Sequence, residues 1–365
     1  MGPCLVLPRA RGVRKSPIGL LTEGPSVSAG RHMAALLTGS WRPIPGSVVW
    51  SEAEFAPLVP RLLEAGSGGL AWWSLSRTAE SQTHSTGVLR DAFRYQLARS
   101  RVAESHLKAS LGALRSHGVE PILGKGWAVA QSYASAGLRP TGDIDLYVDP
   151  SDFPRAKAAI HNTGAPVDLH RGCDEIDGDP WSEVFARSVV RPCDEVSVRC
   201  FGPSDHLRLV IRHLLRHGAW RSLWLCDVAA LLEFEPLDWR LVLSGPGPAV
   251  SWVQATVKLA RDLLGARIPD NAREEHRSGP PPDWLVRAVL NGWGRPFLAH
   301  GRRAPMSAVL GRPWDFVRGL RDRWPNAIEA AIELGLSADQ PPRPSVKLRA
   351  SLRRTSRFLK ARAQV

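Results

Sequence analysis

Cysteine is scarce and unpatterned: five residues in 365 (Cys4, Cys173, Cys193, Cys200 and Cys226), with no C-x-x-C pair among them. That excludes a disulfide-built scaffold and a cysteine zinc site, and an odd, sparse set is what reduced thiols of the cytoplasm look like. No run approaches the roughly 18 consecutive apolar residues that a membrane-spanning helix needs. Behind Arg9, Arg11, Arg14 and Lys15 there is no apolar stretch of secretory length, so no signal peptide and a cytoplasmic location are expected. Internal repeats are also absent. What is present is 44% hydrophobic residues in a chain long enough for two domains of ordinary size, which excludes a wholly disordered protein.

The formal charge of +13 is carried by the ends. Residues 343–365 contain eight basic side chains and no acid, and residues 1–30 contain four against Glu23. The body between them is nearly neutral, whereas a duplex-binding protein needs its positive patch on the folded surface. Nucleic acid is therefore not expected as a partner. The basic tail, with Leu348, Leu352, Phe358 and Leu359 among its cations, has the composition either of a basic amphipathic helix facing an anionic partner or of a disordered tail.

Residues 1–32 are rich in Gly, Pro, Ser and Arg without apolar periodicity and read as a disordered basic segment. Residues 33–118 read as helical. Ser51 with Glu54 three residues on forms a capping-box pattern for a helix through Leu63. A long helix from Val88 to His117 carries Phe93, Leu97, Leu107, Leu111 and Leu114 near helical spacing and stops at Gly118. The period then changes, and residues 119–203 read as a small α/β unit. It has a strand Val119–Leu123, a Gly124-Lys125-Gly126 loop, a helix Trp127–Ala136 and an alternating strand Asp143–Val148. A helix capped by Ser151 and a second alternating strand, Ala165–Arg171, complete it. Residues 204–280 read as helical again: Ser204–His217 with Ser204 as cap, Leu223–Glu233 and Val250–Leu264. Prolines at 280–282 precede a Trp-rich region, 281–342, and the basic tail, 343–365. The predicted class is α+β: a small mixed sheet with helices, followed by a helical C-terminal domain.

The chemistry concentrates in Gly124-Lys125-Gly126-Trp127 and Arg139-Pro140-Thr141-Gly142-Asp143-Ile144-Asp145-Leu146. Asp143 and Asp145, two apart on a strand, project from one face. Two such carboxylates repel by about 4 kcal/mol at an effective dielectric of 20 and ~4 Å, a cost that a bound cation converts into affinity. Hard oxygen ligands with room for phosphates suit Mg²⁺. A glycine loop before a helix lets backbone amides approach a phosphate, with Lys125 adding a point charge. Taken alone, a carboxylate pair at a strand end is more often merely solvated.

In these segments the chain resembles the nucleotidyltransferase superfamily typified by DNA polymerase β. It is closest in pattern to a bacterial nucleotidyltransferase family reading K-G-(W/A)-A, then R-P-x-x-D-I-D-L, then V-D-L-H. Here these are Lys125 to Ala128, Arg139 to Leu146, and Val167-Asp168-Leu169-His170. The resemblance implies a third metal carboxylate, Asp168, beside Asp143 and Asp145, two Mg²⁺ ions (or Mn²⁺), and Gly124, Lys125 and Gly126 at the nucleotide. It implies transfer of an NMP from ATP or another NTP to a hydroxyl of a small-molecule or peptide acceptor, with pyrophosphate released. Two alternatives are an RNA 3′-end nucleotidyltransferase and a non-catalytic nucleotide-binding protein of the same fold. The superfamily has Ser or Gly after its key glycine; this chain has Trp127, so amides and Lys125 must replace that hydroxyl.

Arg139 has two roles open, a phosphate contact or an ion pair with Asp143. His170 shares a strand face with Asp168 and is expected beside the metal ligands. His213 and His217, four apart on one helix face, have a zinc-compatible spacing but lack the HExxH glutamate and a third ligand. Zinc is not expected, which leaves core histidines or substrate contacts. Asp227, in an apolar helical stretch, requires a partner if buried; Arg221 and His217 are the candidates.

Overall fold

Helices lead the chain in the computed structural model, which describes residues 24–45, 50–77, 82–161, 163–176, 179–270, 272, 278–295 and 325–362. They are α1 (Pro25–Leu37), α2 (Glu52–Phe55), α3 (Val59–Glu64), α4 (Gly68–Leu75) and the long α5 (His84–Ser116). The capping box forms, with Ser51 N–H donating to Glu54 Oε2 at 2.8 Å. Helix α5 stops at Gly118, whose φ of +68° suits glycine. Leu107, Leu111 and Leu114 bury, whereas Leu97, expected on the same face, is 40% exposed. A 33-residue helix extends past the layer that it covers, so helical spacing alone does not bury every leucine.

The sheet elements follow: β1 (Ile122–Gly124), α6 (Gly126–Ala130), β2 (Ile144–Val148), α7 (Phe153–Ile160), β3 (Val167–Arg171), α8 (Trp181–Arg187), β4 (Val189–Cys193) and β5 (Val196–Cys200). They form one mixed five-stranded sheet in the order β3-β2-β1-β5-β4. Strands β2 and β3 run parallel, β1 pairs antiparallel with β2 and parallel with β5, and β4–β5 is a hairpin. The hairpin was not expected from the sequence; its first strand contains Pro192, and a sheet edge is where proline is tolerated. Helices α5 and α7 cover one face through Leu107, Leu111, Leu114, Ala156 and Ala159. On the other, Tyr147 and Phe201 pack with Val184 of α8 and a leucine, Leu209, of the next helix. Covered on both faces, β2 buries all five residues and not the alternate ones that the sequence pattern suggested.

The remaining helices are α9 (Pro203–Arg216), α10 (Ser222–Phe234), α11 (Trp239–Val242), α12 (Gly247–Leu264), α13 (Asp283–Gly294), α14 (Ala327–Glu333) and α15 (Pro344–Arg362). The class is α+β, as predicted. Neither Ser151 nor Ser204 caps its helix: Ser151 Oγ donates to Asp149 at 2.6 Å, and Ser204 Oγ accepts from Asp238 N–H at 2.9 Å. The tail takes its helical form: Arg354 of α15 pairs with Glu333 at 2.6 Å and Glu329 at 3.2 Å, so part of its charge is met within the chain. No helix among the described residues is long and apolar enough to cross a membrane.

The reading of residues 1–32 as disordered needs correcting at its end. Residues 1–23 lie outside the described residues, but 25–32 form the first turns of α1, which packs along α13. A Cβ on Gly30 would stand 2.1 Å from Leu290 O, and one on Gly294 1.7 Å from Ser26 O. The two backbones touch, and the small residues that resemble low-complexity sequence are what allow it. Gly30→Val should therefore cost about 1–3 kcal/mol, read as a lowered urea midpoint; an unchanged midpoint would show α1 undocked. The expected Trp-rich region lies outside the described residues from 296 to 324.

Candidate active site

Strand β1 ends in the glycine loop, and the loop is built around a strained lysine. Lys125 has φ +48° and ψ −139°, a conformation that costs a non-glycine residue of order 1–3 kcal/mol and persists only where its surroundings enforce it. Two bonds enforce it: the Lys125 backbone N–H donates to His206 Nε2 at 3.1 Å, and Nζ donates to Asp145 Oδ1 at 2.8 Å. Of the loop amides expected to serve a phosphate, that of Lys125 is thus spent on His206. Gly124 cannot carry a side chain, because a Cβ there would lie 2.9 Å from the Tyr147 ring.

Sequence reasoning missed His206, which sits inside the apolar pattern of α9. Burial, helped by the nearby Arg191 and Arg139 charges, lowers its pKa to about 3, and accepting from Lys125 fixes Nε2 as the unprotonated nitrogen. A histidine that stays neutral when folded but titrates near 6.5 when unfolded makes stability fall as pH drops from about 6.5 toward 3. Between pH 7 and pH 5 His206 alone should remove about 2 kcal/mol. Denaturant unfolding at the two pH values should show this drop, and His206→Gln should reduce it. Equal slopes for both proteins would sink the assignment.

The parallel register of β2 and β3 sets Asp145 opposite Asp168 and Tyr147 opposite His170. His170 Nε2 lies 3.2 Å from Asp145 Oδ1 and 3.3 Å from Asp168 Oδ2, its ring stacked on Tyr147 at 4.2 Å. One ligand atom each from Asp145, Asp168 and His170 fall within 4.8 Å of one another. Asp143 borders the same cleft but stands outside this cluster. Strand β2 starts at Ile144, so the two-residue rule linking Asp143 to Asp145 does not reach Asp143. Asp145 is buried, which opposes its charge; the His170 hydrogen bond and the Lys125 ammonium outweigh that and hold its pKa below the usual Asp value. Asp168 is half in solvent, with a side chain 54% exposed.

These groups open on a cleft of about 1210 Å³, lined also by Arg212, His213 and Arg216 of α9, by His217 just past its end and by Trp224 of α10. His213 and His217 pack on Trp224 at 4.7 and 5.2 Å between ring centroids, and burial lowers the His213 pKa to about 3. Among the described residues they form no metal-ligand cluster. Arg139 does not pair with Asp143; its carboxylate partner is Asp227. Its Nη2 and Nε donate to Asp227 at 2.9 and 3.2 Å, its Nη1 to Pro140 O at 2.8 Å, and Tyr133 Oη donates to Asp227 at 2.7 Å. The partners of Asp227 are therefore Arg139 and Tyr133, where Arg221 or His217 had been expected.

A buried carboxylate, an exposed one and an imidazole around one point, with a lysine alongside, could hold a metal ion. Residues 64–171 match a family of uncharacterised nucleotidyltransferases. The matched segment runs from the end of α3 to the last residue of β3. It includes Lys125, Arg139, Asp143, Asp145, Asp168 and His170 and stops short of His206, His213, His217, Arg221 and Asp227. It takes in under a third of the chain. No curated protein and no solved structure matches.

Proposed function

We propose that the protein moves an NMP from an NTP to a hydroxyl of a small-molecule or peptide acceptor. The observation that carries this reading is the Asp145–Asp168–His170 cluster beside Lys125, inside the segment that matches nucleotidyltransferases. The donor set fits a divalent cation: two carboxylates suit Mg²⁺, and the imidazole also admits Mn²⁺. Asp145, Asp168 and His170 would hold it, with Asp143 available to a second ion. When bound, such ions neutralise phosphate charge and favour in-line displacement.

The chain's own groups divide the remaining work. Asp168, open to solvent, receives the proton of the acceptor hydroxyl or orients that hydroxyl. The oxygen attacks the α-phosphorus as the bond to pyrophosphate breaks. Lys125, whose Nζ donates to Asp145 Oδ1 at 2.8 Å, would offer its ammonium to the leaving pyrophosphate. Tyr147, stacked under His170, holds the imidazole in plane. Gly126, which lines the cleft, keeps a side chain out of the phosphate path, and Gly124 lets the loop pack on Tyr147.

The test is pyrophosphate release from each of the four NTPs, with Mg²⁺ or Mn²⁺ and cell extract as a mixed acceptor. Release that chelation abolishes is the expected result. NTP binding without release, across all four nucleotides and both metals, would leave a nucleotide-binding protein and remove the transferase reading.

A further inference from the structure

We infer that Arg221 is the anion-binding residue of the cleft and that it takes the phosphate chain of the nucleotide; this rests on the nucleotidyl-transfer reading above. Arg221 lines the cleft, just before α10 and outside the segment that matches the family. The carboxylate that the sequence offered it, Asp227, is already bidentate to Arg139 and bonded to Tyr133. Among the described residues Arg221 has a single hydrogen bond, Nε to Ala65 O at 3.3 Å, and two indoles. Its guanidinium carbon stands 5.5 Å from the Trp220 centroid and 5.2 Å from that of Trp224.

Among the described residues neither Nη atom has a hydrogen-bond acceptor, and no carboxylate comes within ion-pair distance. A largely desolvated cation without a counter-charge is costly. Aromatic faces hold it in place without neutralising it. Burial and the adjacent Arg139 charge lower its pKa below the ordinary arginine value and outweigh the more distant Asp227 and Asp143 carboxylates, neither of which reaches ion-pair distance. Gly66 makes the space: its φ is +74°, and a Cβ there would lie 2.8 Å from Arg221 Nη2. The result is a fixed guanidinium fork with its Nη hydrogens unused, a geometry that matches two oxygens of one phosphate. Arg221 lines the same cleft as Asp143, Asp145 and Asp168, which favours the nucleotide's phosphates over an acidic group on the acceptor.

The test is titration calorimetry of the full chain with tripolyphosphate, ATP and AMP, using wild type, Arg221→Met and Arg221→Lys. Methionine keeps an aliphatic stem against the indoles, and lysine keeps the charge without the fork. Arg221→Met should weaken ATP and tripolyphosphate by roughly 10- to 100-fold, AMP far less, and Arg221→Lys should fall between. Wild-type affinity for ATP and tripolyphosphate in a folded Arg221→Met protein would overturn the Arg221 assignment and leave the transferase reading standing; an accompanying rise in KM for acceptor would assign the fork to the acceptor instead. Tripolyphosphate binding that depends on Arg221, without pyrophosphate release from any NTP, would keep the anion site and remove the transferase reading. No binding of either polyanion by wild type would overturn both.

Discussion

Asp168→Asn should lower metal-dependent pyrophosphate release by about 10³-fold, roughly 4 kcal/mol of transition-state stabilisation, and leave the unfolding midpoint unchanged. Both halves follow from position. The Asp168 carboxylate belongs to the cluster with Asp145 and His170, so amidation removes a charged ligand atom. Its side chain is 54% exposed, so an isosteric amide disturbs no core. Asp145→Asn is the less clean probe. It should lose activity as fully, but it also takes the counter-charge from Lys125, whose side chain is only 9% exposed. Breaking a buried pair from one side costs about 3–5 kcal/mol. A folded Asp168→Asn protein that keeps more than a tenth of wild-type turnover would remove Asp168 from the metal site. The pair of variants separates chemistry from stability.

The largest loss of stability is expected at Asp227→Asn, about 3–5 kcal/mol. Asp227 is 1% exposed and its partner Arg139 8% exposed in their side chains. The amide would leave a buried guanidinium uncompensated and weaken the Tyr133 bond. The pair also ties α10 to the loop leading to Asp143, because Arg139 Nη1 holds Pro140 O at 2.8 Å. Replacing both partners, Arg139→Met with Asp227→Leu, should restore most of the loss, since the penalty belongs to the unpaired charge and not to a missing attraction. Denaturant unfolding of the two single variants and the double variant checks this. Additive losses in the double variant would show that the pair is not coupled.

Local chemistry was legible without coordinates. The Ser51–Glu54 cap, the stop at Gly118, the strands around Asp145 and Asp168 and the turn at Lys125–Gly126 are each written within a few residues, where period and turn propensity act. The sequence was less reliable where burial depends on what lies opposite. Strand β2 buries both faces because helices cover both sides of the sheet, and residues 25–32 fold because their small side chains admit α13. Cap assignments failed at Ser151 and Ser204, where a neighbouring acceptor or amide claimed the hydroxyl.

By itself the sequence determined the sheet-and-helix class, the glycine loop and the two aspartate-bearing strands, because each rests on spacing along a few turns or one strand. Tertiary structure decided which groups form the site. The β2–β3 register brought His170 to Asp145 and Asp168 and left Asp143 at the rim. Pairing across 88 residues joined Arg139 to Asp227 and so left Arg221 to two tryptophans, while His206 took the Lys125 amide from 81 residues away. Partner choice among buried charges depends on distances through space, and no local pattern encodes which of several arginines arrives first at a given carboxylate.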